Sequence, residues 1–366
     1  MKKVVISKKD LKSNLKMIRA DLTKRDDNGN KVKLIAVVKD NGMGLDLIKY
    51  SEFLVENGVD FLAVATVEEA IKLRQAGITV DILMLSPVNF KSELEILIDN
   101  KIIITIDNKK QIELCEKNFK DKNIRAHIKI DTGFGRYGFL YDNKTEILEA
   151  MKMCKNIKIE GMYTHFSKAI DTNWTYEQFN RFLDVIAIVR KNGLNPGLLH
   201  CCNSTAFMLY RNMYLNAVRL GSVIQGRTLV GRKGLAKIGV FKTYVSEIKT
   251  VPKGYNISYG KNFKTRKETK IAVIPVGYVD GLNSKKNRDS FKLSENIMSV
   301  LIELKKVFKD NRIKVKINDK EYNVIGRLGM YHAVIDVTDS DIDIGDEVIL
   351  DINPLNANSD VRREYA

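Results

Sequence analysis

Leu34-Ile35-Ala36-Val37-Val38-Lys39-Asp40-Asn41-Gly42-Met43-Gly44 is the stretch from which the rest of the chain can be read. Four apolar residues, Ile35 to Val38, run directly into a lysine, and turn formers follow it. An apolar, β-branched run of that length closed by Asp, Asn and Gly predicts a fully buried strand, with Lys39 where the chain leaves the core. A lysine at a strand mouth has two readings. Its stem can lie along the strand end while the ammonium reaches water. Alternatively it is partly desolvated, with a lowered pKa that suits it to bond a carbonyl cofactor as a Schiff base.

Outward from that strand, one pattern repeats: apolar strand, polar turn, amphipathic helix. Candidate strands are Phe61 to Val64, Ile82 to Leu85, Ile102 to Ile106, Ala126 to Ile130, Ile159 to Tyr163, Leu198 to Cys201 and Ala217 to Leu220. Helical spacing is found at Leu11, Leu15, Ile18 and Leu22, and over Val67 to Gln75, Glu93 to Ile98, Lys144 to Met153 and Glu177 to Asn192. With the Lys39 strand this makes eight strands alternating with helices over roughly 230 residues, the length of a (β/α)8 TIM-type barrel. A doubly wound open sheet stays open as the alternative. From Lys237 the pattern changes to short alternating strands: Tyr244 to Lys249, Lys270 to Pro275, Ile313 to Ile317, Tyr322 to Ile325, Ala333 to Val337 and Glu347 to Leu350. One helical stretch, Glu295 to Phe308, interrupts them. The expected organisation is therefore an α/β barrel over residues 1–233, N-terminus included, and a mainly-β domain over 234–366.

The totals narrow the class. At 366 residues the chain can bury a large core, and no apolar run approaches the length needed to cross a bilayer. The start, MKKVVISKKD, holds too short an apolar run for a signal peptide, so a cytoplasmic protein is expected. Cys115, Cys154, Cys201 and Cys202 lack CxxC spacing, which argues against a disulfide framework or a zinc site. The net charge of +16 is spread along the chain without a nucleic-acid motif, so a solvated basic surface is expected and no nucleic-acid partner.

In a barrel, chemistry gathers at the strand C-termini. Strand one ends in Lys39; strand five carries Lys129 and runs into DTGFGRYGF with Arg136. Strand six gives THFS with His165, strand seven CCNS with Asn203 and Ser204, and strand eight RLGS with Arg219, Gly221 and Ser222. Barrels frequently bind phosphate with the loops after strands seven and eight. Ser204 offers a hydroxyl there, and Gly221 and Ser222 offer exposed amides. A phosphate cradle opposite a strand-end lysine points to pyridoxal phosphate. His127 and His200, on predicted strands, read as core or strand-end histidines, and Trp174 falls in a loop after strand six with no assigned role.

At these positions, and at ISYG with Tyr259, the chain resembles the alanine racemase family of fold-type III pyridoxal phosphate enzymes over almost its whole length. The family's VVKxNxYG reads here VVKDNGMG, its DTGMxRxG reads DTGFGRYG, and its THF, NS, VRxG and GYxDG motifs read THFS, CNST, VRLG and Gly277 to Gly281. The resemblance implies pyridoxal 5'-phosphate as cofactor and a small amino acid as substrate. It further implies a homodimer with shared active sites, in which Lys39 and Tyr259 of the partner subunit are the two bases of a racemase. His165 bonded to Arg219 would stabilise the tyrosine phenolate, Arg219 would face the ring nitrogen, and Arg136 its phenolic oxygen. Lys129 matches the lysine that is carbamylated in the family. Tyr278 and the Met330 backbone N–H would contact the substrate. A non-catalytic carrier on the same barrel and a fold-type III decarboxylase are the rival readings.

Three departures qualify the resemblance. Met43 replaces a tyrosine that helps hold the phosphate, and Tyr331-His332 replace an Asp-Gln pair. Asn358 or Ser359 stands where a tyrosine closes the pocket over the substrate methyl, a feature similar to the racemase domains of the serine and alanine racemases linked to vancomycin resistance. A small polar group there implies room for serine beside alanine.

Overall fold

The computed structural model describes residues 1–23, 31–231, 233–284, 293–307 and 312–366. They divide into two compact units, Lys8–Ile238 and Met1–Ser7 with Gly239–Ala366. The larger is a barrel of parallel strands. In chain order these are Lys33–Val37, Phe61–Val64, Asp81–Met84, Ile104–Ile106, Ile124–Asp131, Ile157–Tyr163, Leu198–His200 and Ala217–Leu220. Strand eight pairs with strand one, Arg219 opposite Ile35, and so joins the ends of the series. Strands three and four meet only through the parallel bridge Leu83–Ile103, where the circuit is nearly closed. The barrel form is thus settled against the open doubly wound sheet.

The interior is filled as the apolar strand pattern requires. Ile35, Phe61, Ala63, Leu83, Ile103 and Ala217 form one buried cluster, and helices such as Val67–Gln75 and Lys144–Met153 bury their apolar stripes outside. The strand between the first two helices sets the chain direction at the site. After Val37 the backbone enters a turn in which Asp40, Asn41, Gly42 and Met43 all have positive φ (57°, 53°, 67° and 55°). This is a left-handed turn, and a Cβ at Gly42 would lie 3.0 Å from the Leu47 backbone, so glycine is required there.

The smaller unit is a nine-stranded sheet with a core that includes Val251, Ile257, Ile271 and Ile325. Here the sequence reading needs two corrections. Met1–Ser7 does not go with the barrel, because Lys3–Ile6 pairs antiparallel with Val240–Tyr244 and parallel with Arg362–Tyr365. Its alternating burial, Val4 and Ile6 inward, is what a two-sided sheet strand needs. The expected strand Tyr244 to Lys249 is in fact two, Val240–Tyr244 and Glu247–Val251, since Val245 N bonds Asp346 O while Ser246 N turns to Val273 O. The interrupting helix spans Leu293–Val307; the expected end at Phe308 lies outside the described residues. Among the described residues no helix is long and apolar enough to cross a membrane, and all four cysteines are free.

Candidate active site

At the C-terminal end of the barrel strands lies a cavity of about 480 Å³, lined among others by Lys39, Met43, Lys129, Arg136, His165, Asn203, Ser204, Arg219, Gly221 and Ser222. All the barrel residues singled out in the sequence are therefore brought together. Lys39 is exposed and lines the cavity.

At the cavity floor stands Arg219, only 3% exposed. A buried guanidinium must spend its donors on good acceptors. Nη2 donates to Thr164 O at 2.7 Å, Cys201 O at 3.2 Å and His165 Nδ1 at 3.2 Å; Nη1 donates to His200 Nδ1 at 2.6 Å and His200 O at 3.1 Å. None of these bonds uses Nε. Because arginine only donates, both histidines must accept at Nδ1, which fixes each as the neutral tautomer with its proton on Nε2. Burial, with the Arg219 charge second, holds His165 and His200 well below the ordinary histidine pKa. His200 Nε2 then donates to His127 Nδ1 at 2.9 Å, and burial lowers His127 to about 3. The Tyr163 ring stacks on His200 with centroids 4.8 Å apart.

Lys129 is 5% exposed, with its amine 4.6 Å from the Tyr163 ring centroid. Burial first, then the charges of Arg219 and Arg136, lower its pKa to about 7. Next along the chain, Asp131 collects four main-chain amides on one carboxylate. Gly133 and Phe134 donate to Oδ1 at 2.8 and 2.7 Å, and Gly135 and Arg136 to Oδ2 at 2.9 and 3.1 Å. That nest fixes the loop that presents Arg136, whose guanidinium lies 4.2 Å from the Phe134 ring centroid.

On the opposite side Ser204 opens the helix Ser204–Leu209, capped by Asn203 Oδ1 accepting from Thr205 N and Ala206 N at 3.1 and 3.0 Å. Ser204 Oγ accepts from Gly221 N at 3.1 Å and Val223 N at 3.3 Å, so hydroxyl and amides form one cradle. Met43 packs its thioether against Gly221 and offers no hydroxyl to that cradle, while Gln225 Nε2 holds Met43 O at 2.8 Å.

The remaining predicted residues belong to the smaller unit. Tyr259, 70% exposed, opens a short turn whose preceding Ser258 donates to Arg327 O. Tyr278 N donates to Gly329 O at 3.1 Å and Val279 N to Met330 O at 3.3 Å. This approach is so close that a Cβ at Gly277 would lie 2.1 Å from Met330 O. Asn358 is half-buried and Ser359 exposed, on a loop wrapped around the buried guanidinium of Arg363, which binds the carbonyls of Ala357, Asn358, Ser359 and Val361.

Glu69, Asp131, Gln225 and Arg363 were missed as site-shaping residues. Two left a trace in the sequence: Thr66-x-x-Glu69 before an apolar run is a capping-box spacing, and a carboxylate ahead of Gly-rich sequence is a nest signal. Arg363 left none.

Comparison with known proteins agrees with this layout. The family profiles "Alanine racemase, N-terminal domain" and "Alanine racemase, C-terminal domain" match residues 6–228 and 239–361. Alanine racemase 2 of Caldanaerobacter subterraneus subsp. tengcongensis is 36% identical over 331 residues, covering 88% of this chain and 79% of that protein. The alanine racemase of Thermodesulfovibrio yellowstonii is 35% identical over 321 residues, 87% and 79% of the two chains. Among solved structures, an alanine racemase of Clostridium difficile 630 superposes with a TM-score of 0.79 at 28% identity, over 99% of this chain and 88% of that one.

Proposed function

Since this chain belongs to the alanine racemase family of amino-acid racemases, we propose that it interconverts L- and D-alanine with pyridoxal 5'-phosphate bound in the barrel cavity. One observation carries the reading: a lysine, a buried arginine and a cradle of hydroxyls and amides line the same cavity. The donor set fits that cofactor. Lys39 would anchor its carbonyl end, Asn203, Ser204, Gly221 and Ser222 its phosphate end, Arg219 its ring nitrogen and Arg136 its phenolic oxygen. When bound, the cofactor supplies an electron sink that makes the α-hydrogen of an amino acid removable.

Racemisation asks for one proton carrier on each face of the reacting carbon. Lys39 is the carrier from the barrel, and Tyr259 of a second copy is the other, so the working unit is a homodimer. A tyrosine ionises near 10 unless its phenolate is stabilised. His165 is suited to that task, because Arg219 holds its Nδ1 and leaves Nε2–H as a donor. Arg219 donates without giving up its proton, which restrains how far charge is drawn from the reacting carbon and favours proton return.

Lys129 at about 7 has a large neutral fraction at neutral pH, and a neutral amine adds to CO2 to give a carbamate and one proton. A carbamate beside Arg136 would orient that guanidinium. Tyr278, Met330, Asn358 and Ser359 complete the substrate contacts, and the small polar pair Asn358-Ser359 extends the range to serine.

Reduction of the purified, cofactor-loaded protein with borohydride followed by peptide mapping is expected to mark Lys39; a mark elsewhere, or none, removes the assignment. Tyr259→Phe separates a racemase from a non-catalytic carrier. Cofactor absorbance is expected to persist while kcat falls by about 10²–10⁴, and unchanged turnover would remove Tyr259 from the reaction.

A further inference from the structure

Two carboxylates at the barrel mouth each gather four main-chain amides. One is Asp131, described above. The other is Glu69, on the helix Val67–Gln75 that follows strand two. Its Oε2 accepts from Ala65 N at 3.1 Å and Thr66 N at 3.3 Å, while Thr66 Oγ1 accepts from Glu69 N at 3.2 Å, which completes a capping box. A cap needs no more than that. Yet Oε1 reaches across to Asp40 N at 2.5 Å and Asn41 N at 3.4 Å, the two amides immediately after Lys39.

Those amides are the ones the left-handed turn leaves over. Gly42 N bonds Val38 O, Gly44 N bonds Asp40 O, Asp46 N bonds Asn41 O, and Leu47 N bonds the Asn41 side chain. Asp40 and Asn41, at φ 57° and 53°, occupy a conformation that L-residues leave readily for the right-handed region. An outside acceptor on their N–H groups opposes that relaxation.

We propose that Glu69 is a positioning residue for Lys39: by holding the Asp40 and Asn41 amides it locks the left-handed turn and so aims the lysine into the cavity. The inference rests on the reading of Lys39 given above. A slight misplacement of a reacting group is enough to cost a large factor in rate, so the effect belongs in kcat, with substrate affinity largely kept.

The test uses three variants of the cofactor-loaded enzyme. Glu69→Ala removes both pairs of bonds, and Glu69→Gln keeps one carbonyl oxygen in a side chain of the same shape. Thr66→Val breaks the capping box but leaves the reach to Asp40 and Asn41. Glu69→Ala is expected to lower kcat for alanine by roughly 10- to 100-fold, with KM within about threefold and a shifted cofactor absorbance. Glu69→Gln should recover part of the rate and Thr66→Val nearly all of it, whatever its loss in Tm. If Glu69→Ala fails to fold, Glu69→Gln against Thr66→Val decides alone. Wild-type kcat in Glu69→Gln and Glu69→Ala, or parallel losses in Thr66→Val and the Glu69 variants that follow Tm, overturns the proposal. Borohydride labelling of wild-type Lys39 separates the failures: label present with Glu69 dispensable removes only this role, whereas no label removes the reading of Lys39 beneath it.

Discussion

Lys129 and Ser359 show what single positions contribute. The folded-state pKa of Lys129, about 7, lies below the ordinary value of 10.5, so between these pH values the unfolded chain holds a proton that the folded chain has released. Stability therefore rises with pH across that window, and the cost of the buried ammonium is fully felt below about pH 7. In bicarbonate-free buffer, which keeps the amine unmodified, Lys129→Met is expected to raise Tm more at pH 6 than at pH 9. An equal shift at both would place the amine's proton elsewhere. Ser359 tests the side-chain range in the same local way. Catalytic efficiencies on alanine and serine are expected within a factor of about 100 of each other, and Ser359→Tyr should widen the gap toward alanine. The barrel residues that could carry chemistry were legible because each sits near a strand's C-terminal end in a recognisable motif. Arg363 and Gln225 were not, since each acts by bonding backbone carbonyls that only folding brings to it.

The turn from Lys39 to Gly44 is an element whose handedness is the message. Its sequence announced a turn after the strand but not four successive residues of left-handed backbone, because Asp40, Asn41 and Met43 are not obliged to adopt it. Bonds from Glu69 and Gln225 hold it from outside, and Asn41 Oδ1 accepting from Leu47 N holds it from within. Gly42→Ala puts a methyl 3.0 Å from the Leu47 backbone on top of the strained φ of 67°. It is expected to cost about 2 kcal/mol, or roughly 4–8 °C in Tm, and to weaken cofactor retention; a variant as stable and as yellow as wild type would show the turn is free to adjust. The start of the longest helix was the other blind spot. Thr172–Lys191 begins five residues before its apolar periodicity does and takes Trp174 out of the expected loop, because Asp171 caps it through Trp174 N. The barrel strands themselves were legible almost residue for residue, since an apolar run walled by turn formers has few other uses.

Across the whole molecule, three neutral histidines, His127 and His200 buried and His165 half-buried, tie stability to acidity. His127, His165 and His200 all have folded pKa values depressed below 6.5. Below pH 6.5 the unfolded chain takes up three protons that the folded chain refuses, so stability is lost as pH falls, until the folded pKa values are reached. The slope can approach about 4 kcal/mol per pH unit. Denaturant titrations between pH 7 and 5 are expected to show it, with His127→Gln lowering the slope by about one proton; a flat profile would mean that charged histidines are tolerated inside. The two-part organisation could be read from the change in strand pattern near Lys237, but the place of the first strand could not, because nothing local in KVVI names its neighbours. That strand has a consequence for biosynthesis. Lys3 and Glu364 form an ion pair across 361 positions of chain, within adjoining strands of one sheet. The strand Lys3–Ile6 has no partner until Val240–Tyr244 has been made, and lacks its second until Arg362–Tyr365 has followed, while the barrel between them can already be complete. Translation pauses, or an extension fused ahead of Lys3, would therefore tax the smaller unit's assembly before they touch the larger one.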